Sequence, residues 1–240
     1  MSYPTLRIGS KGKSVTDLQN LLNKKLTGGT RLATDGDFGQ KTKKAVVQFQ
    51  LNNWLVGDGI VGPCTWNCIT GNEKYAVFHP IGLVPQPTSS TCWAAATAML
   101  LGQPSPVVLP EHLKESLVSE GGLLNDSKLD NPQNMMVYCN HFRLKWHPPQ
   151  SYLPDGLYDL LKRKPAMANI LWDTDSYTRG VGSSGHMVVI TGIRGNGEAN
   201  GTTVRVNDPW PVGSGSVRSF NYAQMIKNTP AYTYHLYQRI

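Results

Sequence analysis

Near the start of the chain, apolar residues recur at helical spacing. Val15, Leu18, Leu21, Leu22 and Leu26 share one face of a helix predicted over 14–26. Ser14 with Asp17 reads as its N-terminal cap, and Gly28-Gly29 as its end. A second helix is predicted over 40–53, with Ala45, Val46 and Phe49 facing inward. A third, short helix covers 64–69, with Pro63 suited to its first turn. Two nearly identical turns, Asp35-Gly36-Asp37-Phe38-Gly39 and Asp58-Gly59-Ile60-Val61-Gly62, precede the second and third helices. Glycine supplies the tight backbone there, and Phe38 or Val61 plugs the core. Leu18, Phe49, Val61 and Trp66 read as fold builders, whereas ligand contact is expected from turn residues such as Asp35, Asp37 and Asp58.

The pattern changes at Gly71-Asn72-Glu73-Lys74, which divides the chain into 1–72 and 76–240. The Pro- and Ser-rich stretch from Val84 to Thr91 is extended or looped. From Cys92 to Leu101 the chain is apolar all round, as expected of a helix packed on several sides. Further helices are predicted over 110–120, 132–142 and 154–162. Met187 to Ile193 reads as a buried strand with His186 at its mouth, fed by a glycine-rich loop. Thr202 to Asn207 is a second strand, ending in Asp208-Pro209, and the Gly/Asn residues between 195 and 201 suggest a hairpin joining the two. His235 falls in a last strand.

Composition narrows the class. Hydrophobic residues make up 40% of the 240 and charged residues 16%, which suits a globular chain. The net charge is +7, and residues 1–72 carry nine Lys/Arg against four Asp/Glu, so the N-terminal part is the more basic. Such a surface favours anionic partners, but no segment reads as a nucleic-acid motif. The longest apolar stretch, 92–101, is half of the ~20 residues that span a bilayer, so no membrane insertion is expected. Met1 leads directly into a polar, turn-rich segment without a basic-then-apolar leader, which reads as no signal peptide. Four cysteines, Cys64, Cys68, Cys92 and Cys139, make no disulfide framework, and a bridge between Cys64 and Cys68 on one helix would be strained. With no CxxC pair, no metal site is expected, and no cofactor.

Cys92 is the exception among the thiols. The thiolate is the reactive form, and a free thiol titrates near ~8.5. The positive end of a helix dipole and a nearby imidazolium both favour the thiolate, and Cys92 opens a buried helix. A buried structural cysteine is the alternative. Gln86, six residues upstream, offers a side-chain amide donor for an oxyanion beside the Cys92 backbone N–H. His186 is the candidate general base, ahead of His79, His112, His141, His147 and His235. Asp208 would orient its ring, with Asn207 as the fallback.

Two resemblances follow from these residues. The run of Leu6, Gly9, Gly12, Val15 and Leu18-Gln19, then Asp35-Gly36, Phe38-Gly39, Thr42, Ala45-Val46 and Phe49-Gln50, then Asp58-Gly59, Val61-Gly62-Pro63 and Thr65-Trp66 resembles the three-helix peptidoglycan-binding domain. That resemblance implies docking onto glycan or stem peptide, without catalysis. The motifs Cys92-Trp93-Ala94, Gly185-His186-Met187-Val188 and Asn207-Asp208-Pro209-Trp210, with Gln86 ahead of them, resemble the papain-like cysteine peptidases of bacteria. The nearest kinds are those that process bacteriocin leaders and the effector peptidases that pathogens inject. Thr91-Cys92-Trp93-Ala94 departs from the Asp-Cys-Ser-Gly usual in NlpC-type wall peptidases. The resemblance implies an α+β chain: a small three-helix wall-binding domain, then a papain-like domain whose Cys-bearing central helix packs on an antiparallel sheet. It also implies that Cys92 is nucleophile, His186 base, Asp208 orienting group and Gln86 oxyanion donor.

The expected function is a thiol hydrolase that cuts amide bonds, targeted to the bacterial cell wall and acting as an antibacterial effector. A phage-type lysin, a protease for a protein substrate, and a non-enzymatic wall-binding protein on an inactive scaffold are the alternatives. The expected partners are peptidoglycan, a peptide or protein substrate, and an immunity protein or secretion-machine component. The expected route is synthesis in a bacterial cytoplasm and export by a specialised system to the periplasm or wall of a target cell. A lid is expected over 173–185, on its glycine content. Cys64, Cys68 and Cys139 receive no role.

Overall fold

The computed structural model describes residues 3–26, 31–119, 122, 132–148, 152–171, 185–228 and 235–240. It forms two compact units. One comprises Met1–Ala76, Ile193–Val204 and Ser219–Gln224, and the other Val77–Gly192, Arg205–Arg218 and Met225–Ile240.

The first unit holds helices α1 (Lys13–Lys25), α2 (Gln40–Asn52) and α3 (Pro63–Thr70). Val15, Leu18 and Leu22 of α1, Val46 and Phe49 of α2 and Trp66 and Ile69 of α3 meet Phe38 and Val61 in one buried cluster. The helical spacing of the apolar positions thus does what the pattern requires. The expected cap at Ser14 is corrected. Helix α1 starts one residue earlier, its cap position is Gly12, and no side chain caps it. Ser14 lies inside the first turn, and Asp17 instead accepts from Lys13 Nζ at 3.1 Å. Gly28-Gly29 lies outside the described residues, and the helix reaches Lys25 with Leu26 as its C-cap.

The repeated turns have a shared physical basis that the motif alone did not reveal. In each, one buried glutamine plugs the turn from the preceding helix. Gln19 Nε2 donates to Asp35 Oδ1 at 2.9 Å and to the Asp37 carbonyl at 3.1 Å, while its Oε1 accepts from Gly36 N at 3.0 Å. Gln50 repeats the set with Asp58 Oδ1 at 3.0 Å, the Ile60 carbonyl at 2.9 Å and Gly59 N at 2.9 Å. Gly36 and Gly59 both sit at φ +73°, the left-handed region that favours glycine. Asp35 and Asp58 are therefore turn-forming carboxylates, and hydrogen bonds from the Asp37 backbone and Gln19 hold Asp35 below the usual carboxylate range.

A buried ion pair closes the same unit. Arg194 Nε and Nη2 meet the two oxygens of Glu73 at 2.7 and 2.6 Å, Nη1 donates to the Asn53 carbonyl at 2.6 Å, and the guanidinium lies 4.8 Å from the Trp54 ring centroid. Such a pair is not a large net gain, but removing one partner strands a buried charge. Arg194→Met is expected to destabilise the protein by about 3–5 kcal/mol, read as a drop in the urea midpoint. An unchanged midpoint would show that Glu73 finds another partner.

The second unit is built around a seven-stranded sheet: β1 (Tyr75–Phe78), β2 (Leu144–His147), β3 (Ala166–Leu171), β4 (Gly185–Gly195), β5 (Thr202–Asp208), β6 (Ser216–Asn221) and β7 (His235–Arg239). Their order is β2-β7-β3-β4-β5-β6, with β1 also pairing β4, and some of these strands end in the first unit. The pairs β2–β7, β7–β3 and β3–β4 are antiparallel. Helix α4 (Cys92–Leu101) packs on β3 and β7. Every residue from Cys92 to Leu100 is buried, and Ala94, Ala95, Ala96 and Ala98 leave room for close approach. Thr97, the one polar residue within this helix, donates to the Trp93 carbonyl at 2.7 Å and shares a hydrogen bond with Tyr138. Helices α5 (Glu111–Leu117), α6 (Pro132–Phe142), α7 (Pro154–Leu161) and α8 (Tyr222–Asn228) complete the fold. The chain is thus α+β, a helical N-terminal domain followed by helices on an antiparallel sheet.

Candidate active site

Each element delivers its residue by a simple device. Cys92 is the first residue of α4, and the Thr91 carbonyl accepts from Ala94 N and Ala95 N to start that helix. The thiol therefore sits at the positive end of the helix dipole, which favours negative charge. His186 is the second residue of β4 and Asp208 the last of β5, so two neighbouring strands bring them to the same end of the sheet. The hairpin reading of 195–201 predicted this juxtaposition.

His186 Nε2 stands 2.7 Å from Asp208 Oδ1. A carboxylate only accepts, so Nε2 carries the proton. The Trp210 backbone N–H also donates to Asp208 Oδ1, at 2.9 Å, which fixes the carboxylate on the ring. Nδ1 is left as the ring nitrogen available to Cys92, which is near enough to help raise the His186 pKa. Both Cys92 and His186 are buried. Burial works against the charged ring, but the Asp208 hydrogen bond, the neighbouring Cys92 side chain and the Asp208 charge outweigh it. The His186 pKa is thereby pushed up to about 9 from 6.5. At neutral pH the ring is an imidazolium, the partner that favours a thiolate.

Gln86 joins this cluster through the backbone. Its N–H donates to the Pro209 carbonyl at 3.1 Å, next to Asp208, and its own carbonyl accepts from Gly213 N at 2.9 Å. The side chain is buried, and Nε2 donates to the Thr88 carbonyl at 2.6 Å. A carbonyl can only be met by an N–H, so the amide's orientation is set and a second proton remains on Nε2. Asn207, the fallback for Asp208, donates instead to the Ile81 carbonyl at 3.1 Å. His79 is bonded to the Leu161 carbonyl at 2.7 Å, and His235 accepts from Trp146 Nε1 at 3.2 Å, so these rings serve the scaffold. Among the described residues no group of three metal-ligating side chains forms. The lid expected over 173–185 lies outside the described residues except for Gly185, which opens β4.

One participant went unread in the sequence. The role of the Trp210 N–H was hidden because backbone donors carry no residue signature, although the Asp-Pro-Trp motif pointed to the right turn. Burial pushes up the remaining thiols, to about 11 for Cys68 and Cys139, with Cys64 also raised. They are poor nucleophiles where they sit.

A model of the papain-like cysteine protease AvrRpt2 family matches residues 80–225, more than half of the chain. The chain belongs to this family. Ahead of the papain-like cysteine protease domain, a peptidoglycan-binding domain model matches residues 11–69. The zinc D-Ala-D-Ala carboxypeptidase of Streptomyces albus G is 46% identical over 65 residues, covering 27% of this chain and 26% of that enzyme. A Burkholderia AP3 phage endolysin is 41% identical over 29% of this chain and 26% of its own, with a TM-score of 0.27. A peptidoglycan-binding protein from Clostridioides difficile is 39% identical over 28% of this chain and 40% of its own, with a TM-score of 0.26. The chain therefore spans about a quarter of the carboxypeptidase and of the endolysin.

Proposed function

We propose that this papain-like cysteine protease hydrolyses amide bonds in or beside the bacterial cell wall, where its peptidoglycan-binding domain holds it. The observation that carries the reading is the presence in one chain of a matched wall-binding domain and of Cys92, His186 and Asp208 gathered at one end of the sheet. An antibacterial effector, exported to the wall of a target cell, is the biological role that this combination fits best.

The chemistry is acyl transfer. The Cys92 sulfur, held as thiolate beside the His186 imidazolium, attacks the scissile carbonyl carbon, and the π electrons move to oxygen. The Cys92 N–H and the uncommitted Gln86 proton receive that oxyanion. The tetrahedral adduct collapses, the C–N bond breaks, and His186 gives its proton to the departing amine. A thioester remains. His186, now neutral, takes a proton from water as its oxygen attacks the thioester carbonyl; the C–S bond breaks, the carboxylic acid leaves, and the thiolate beside the imidazolium is restored. Asp208 keeps Nε2 protonated throughout, so Nδ1 is always the exchanging nitrogen.

Gln86→Ala is expected to lower kcat by on the order of 10²–10³ with little change in KM. A rise in KM alone would place Gln86 in substrate binding.

Two substrates distinguish the wall reading from a protease with a passive targeting domain, which the family's name as a protease favours. Purified protein is incubated with isolated sacculi and, separately, with an unfolded protein. New soluble mucopeptides that vanish with Cys92→Ala support the wall reading. Cleavage of the protein alone, with intact sacculi, refutes it.

A further inference from the structure

The N-terminal unit contains one turn twice, and among the described residues only the second copy is roofed by another segment of the chain. Asp35, Gly36, Gly39 and Thr42 recur as Asp58, Gly59, Gly62 and Thr65, each set plugged by its buried glutamine. Beside each turn, over the start of the following helix, lies a recess with matching walls. Leu32 and Ala33 line the first, and Leu55 and Val56 the second.

The second recess, of about 120 Å³, is closed by Asn200 and Asn221, which belong to segments of this same unit. Cys64, on the first turn of α3, donates its S–H to the Asn200 carbonyl at 3.2 Å. Asn221 Nδ2 donates to that carbonyl at 3.0 Å and to Cys64 Sγ at 3.3 Å. What docks there is a peptide carbonyl and a carboxamide.

The first recess is larger, about 240 Å³, and among the described residues only positions 19–42 line it. Lys41 stands where Cys64 stands in the second copy, and replaces one weak donor by an ammonium with three. Asp37, exposed and 3.6 Å from Lys11, adds a carboxylate at the rim. The recess thus offers both signs of charge around a shape that, in its twin, accepts a peptide amide.

We propose that this first recess is the wall-ligand site of the peptidoglycan-binding domain, and that its ligand is the stem peptide rather than the glycan strand. The proposal rests on the reading of this domain as the wall anchor. Stem peptides carry amide carbonyls, free carboxylates and, at the diamino acid, an amine. Neutral N-acetyl sugars can donate hydroxyl hydrogen bonds to Asp37, but they bring no cation to it and no anion to the Lys41 ammonium. The recess falls below the ~300–1,000 Å³ of ordinary small-molecule pockets, so it takes one or two residues of the stem.

The test uses the full chain carrying Cys92→Ala, so that the wall is not consumed. Binding to isolated sacculi is measured with a soluble stem tetrapeptide or a chitotetraose as competitor. Ala33→Trp fills the recess without altering charge, Lys41→Gln removes the exposed ammonium, and Leu51→Gln changes a surface residue outside the recess. Thermal melts establish that all three fold. Ala33→Trp and Lys41→Gln are each expected to weaken sacculus binding about tenfold, Leu51→Gln to leave it unchanged, and the tetrapeptide alone to compete. Parent-like binding by both recess variants, or competition by chitotetraose alone, overturns the assignment while leaving the wall anchor intact. Failure of the parent chain to bind sacculi removes the anchor itself and the assignment with it.

Discussion

Cys92→Ala is expected to lower peptidase turnover by on the order of 10⁵–10⁶, with binding to sacculi preserved. The asymmetry follows from where the residue sits. Cys92 opens α4 in the second unit and contributes only a small side chain to its packing, whereas the matched wall-binding domain lies at residues 11–69. His186→Ala is expected to cost nearly as much, and the double variant little more than either alone. Groups that act as one device fail together, not additively. A double variant whose loss equals the product of the single losses would show that Cys92 and His186 act independently.

Asp208→Asn is expected to lower kcat by on the order of 10²–10⁴ and to change the shape of the pH profile. The imidazolium is needed to protonate the leaving amine, and its pKa of about 9 places the alkaline limb of activity there. The amide removes the negative charge and permits the wrong ring tautomer, so the limb moves down toward 6.5. The same shift acts on stability. The folded-state pKa lies above the ordinary value, so the His186 contribution is complete below about 6.5 and is lost as pH rises through about 9. Urea unfolding at pH 6 and pH 10 should show the wild type losing more stability over that interval than Asp208→Asn. Equal losses would remove Asp208 from the account.

The repetition of turn and helix made the N-terminal domain legible in detail, because three short helices around one small core leave few alternatives. What stayed hidden there was the role of Gln19 and Gln50, which look like surface residues until the turn's unpaired N–H and carbonyl groups are counted. Helix α4 was legible because a ten-residue run with Thr97 as its one polar member can only be buried, and 132–142 was read to its exact bounds. Strands β2, β3 and β6 were not, since four to six residues such as Ala166 to Leu171 carry too little alternation to declare themselves. The meeting of His186 with Asp208 was readable from the strand ends. A Cys at a helix start, a His at a strand start and an Asp at a strand end are the positions where loops meet a rigid frame. The Arg194–Glu73 pair escaped because its partners lie far apart in sequence, and nothing local marks either as buried.

The most direct measurement is site-resolved alkylation of the four cysteines by iodoacetamide at pH 7, followed by peptide mass spectrometry. Cys92 is expected to be modified first, with activity falling in step. Cys64, Cys68 and Cys139 should lag behind, and His186→Ala should abolish the preference for Cys92. Modification of all four thiols at similar rates, or a Cys92 rate indifferent to the loss of His186, would contradict the pairing of Cys92 with His186.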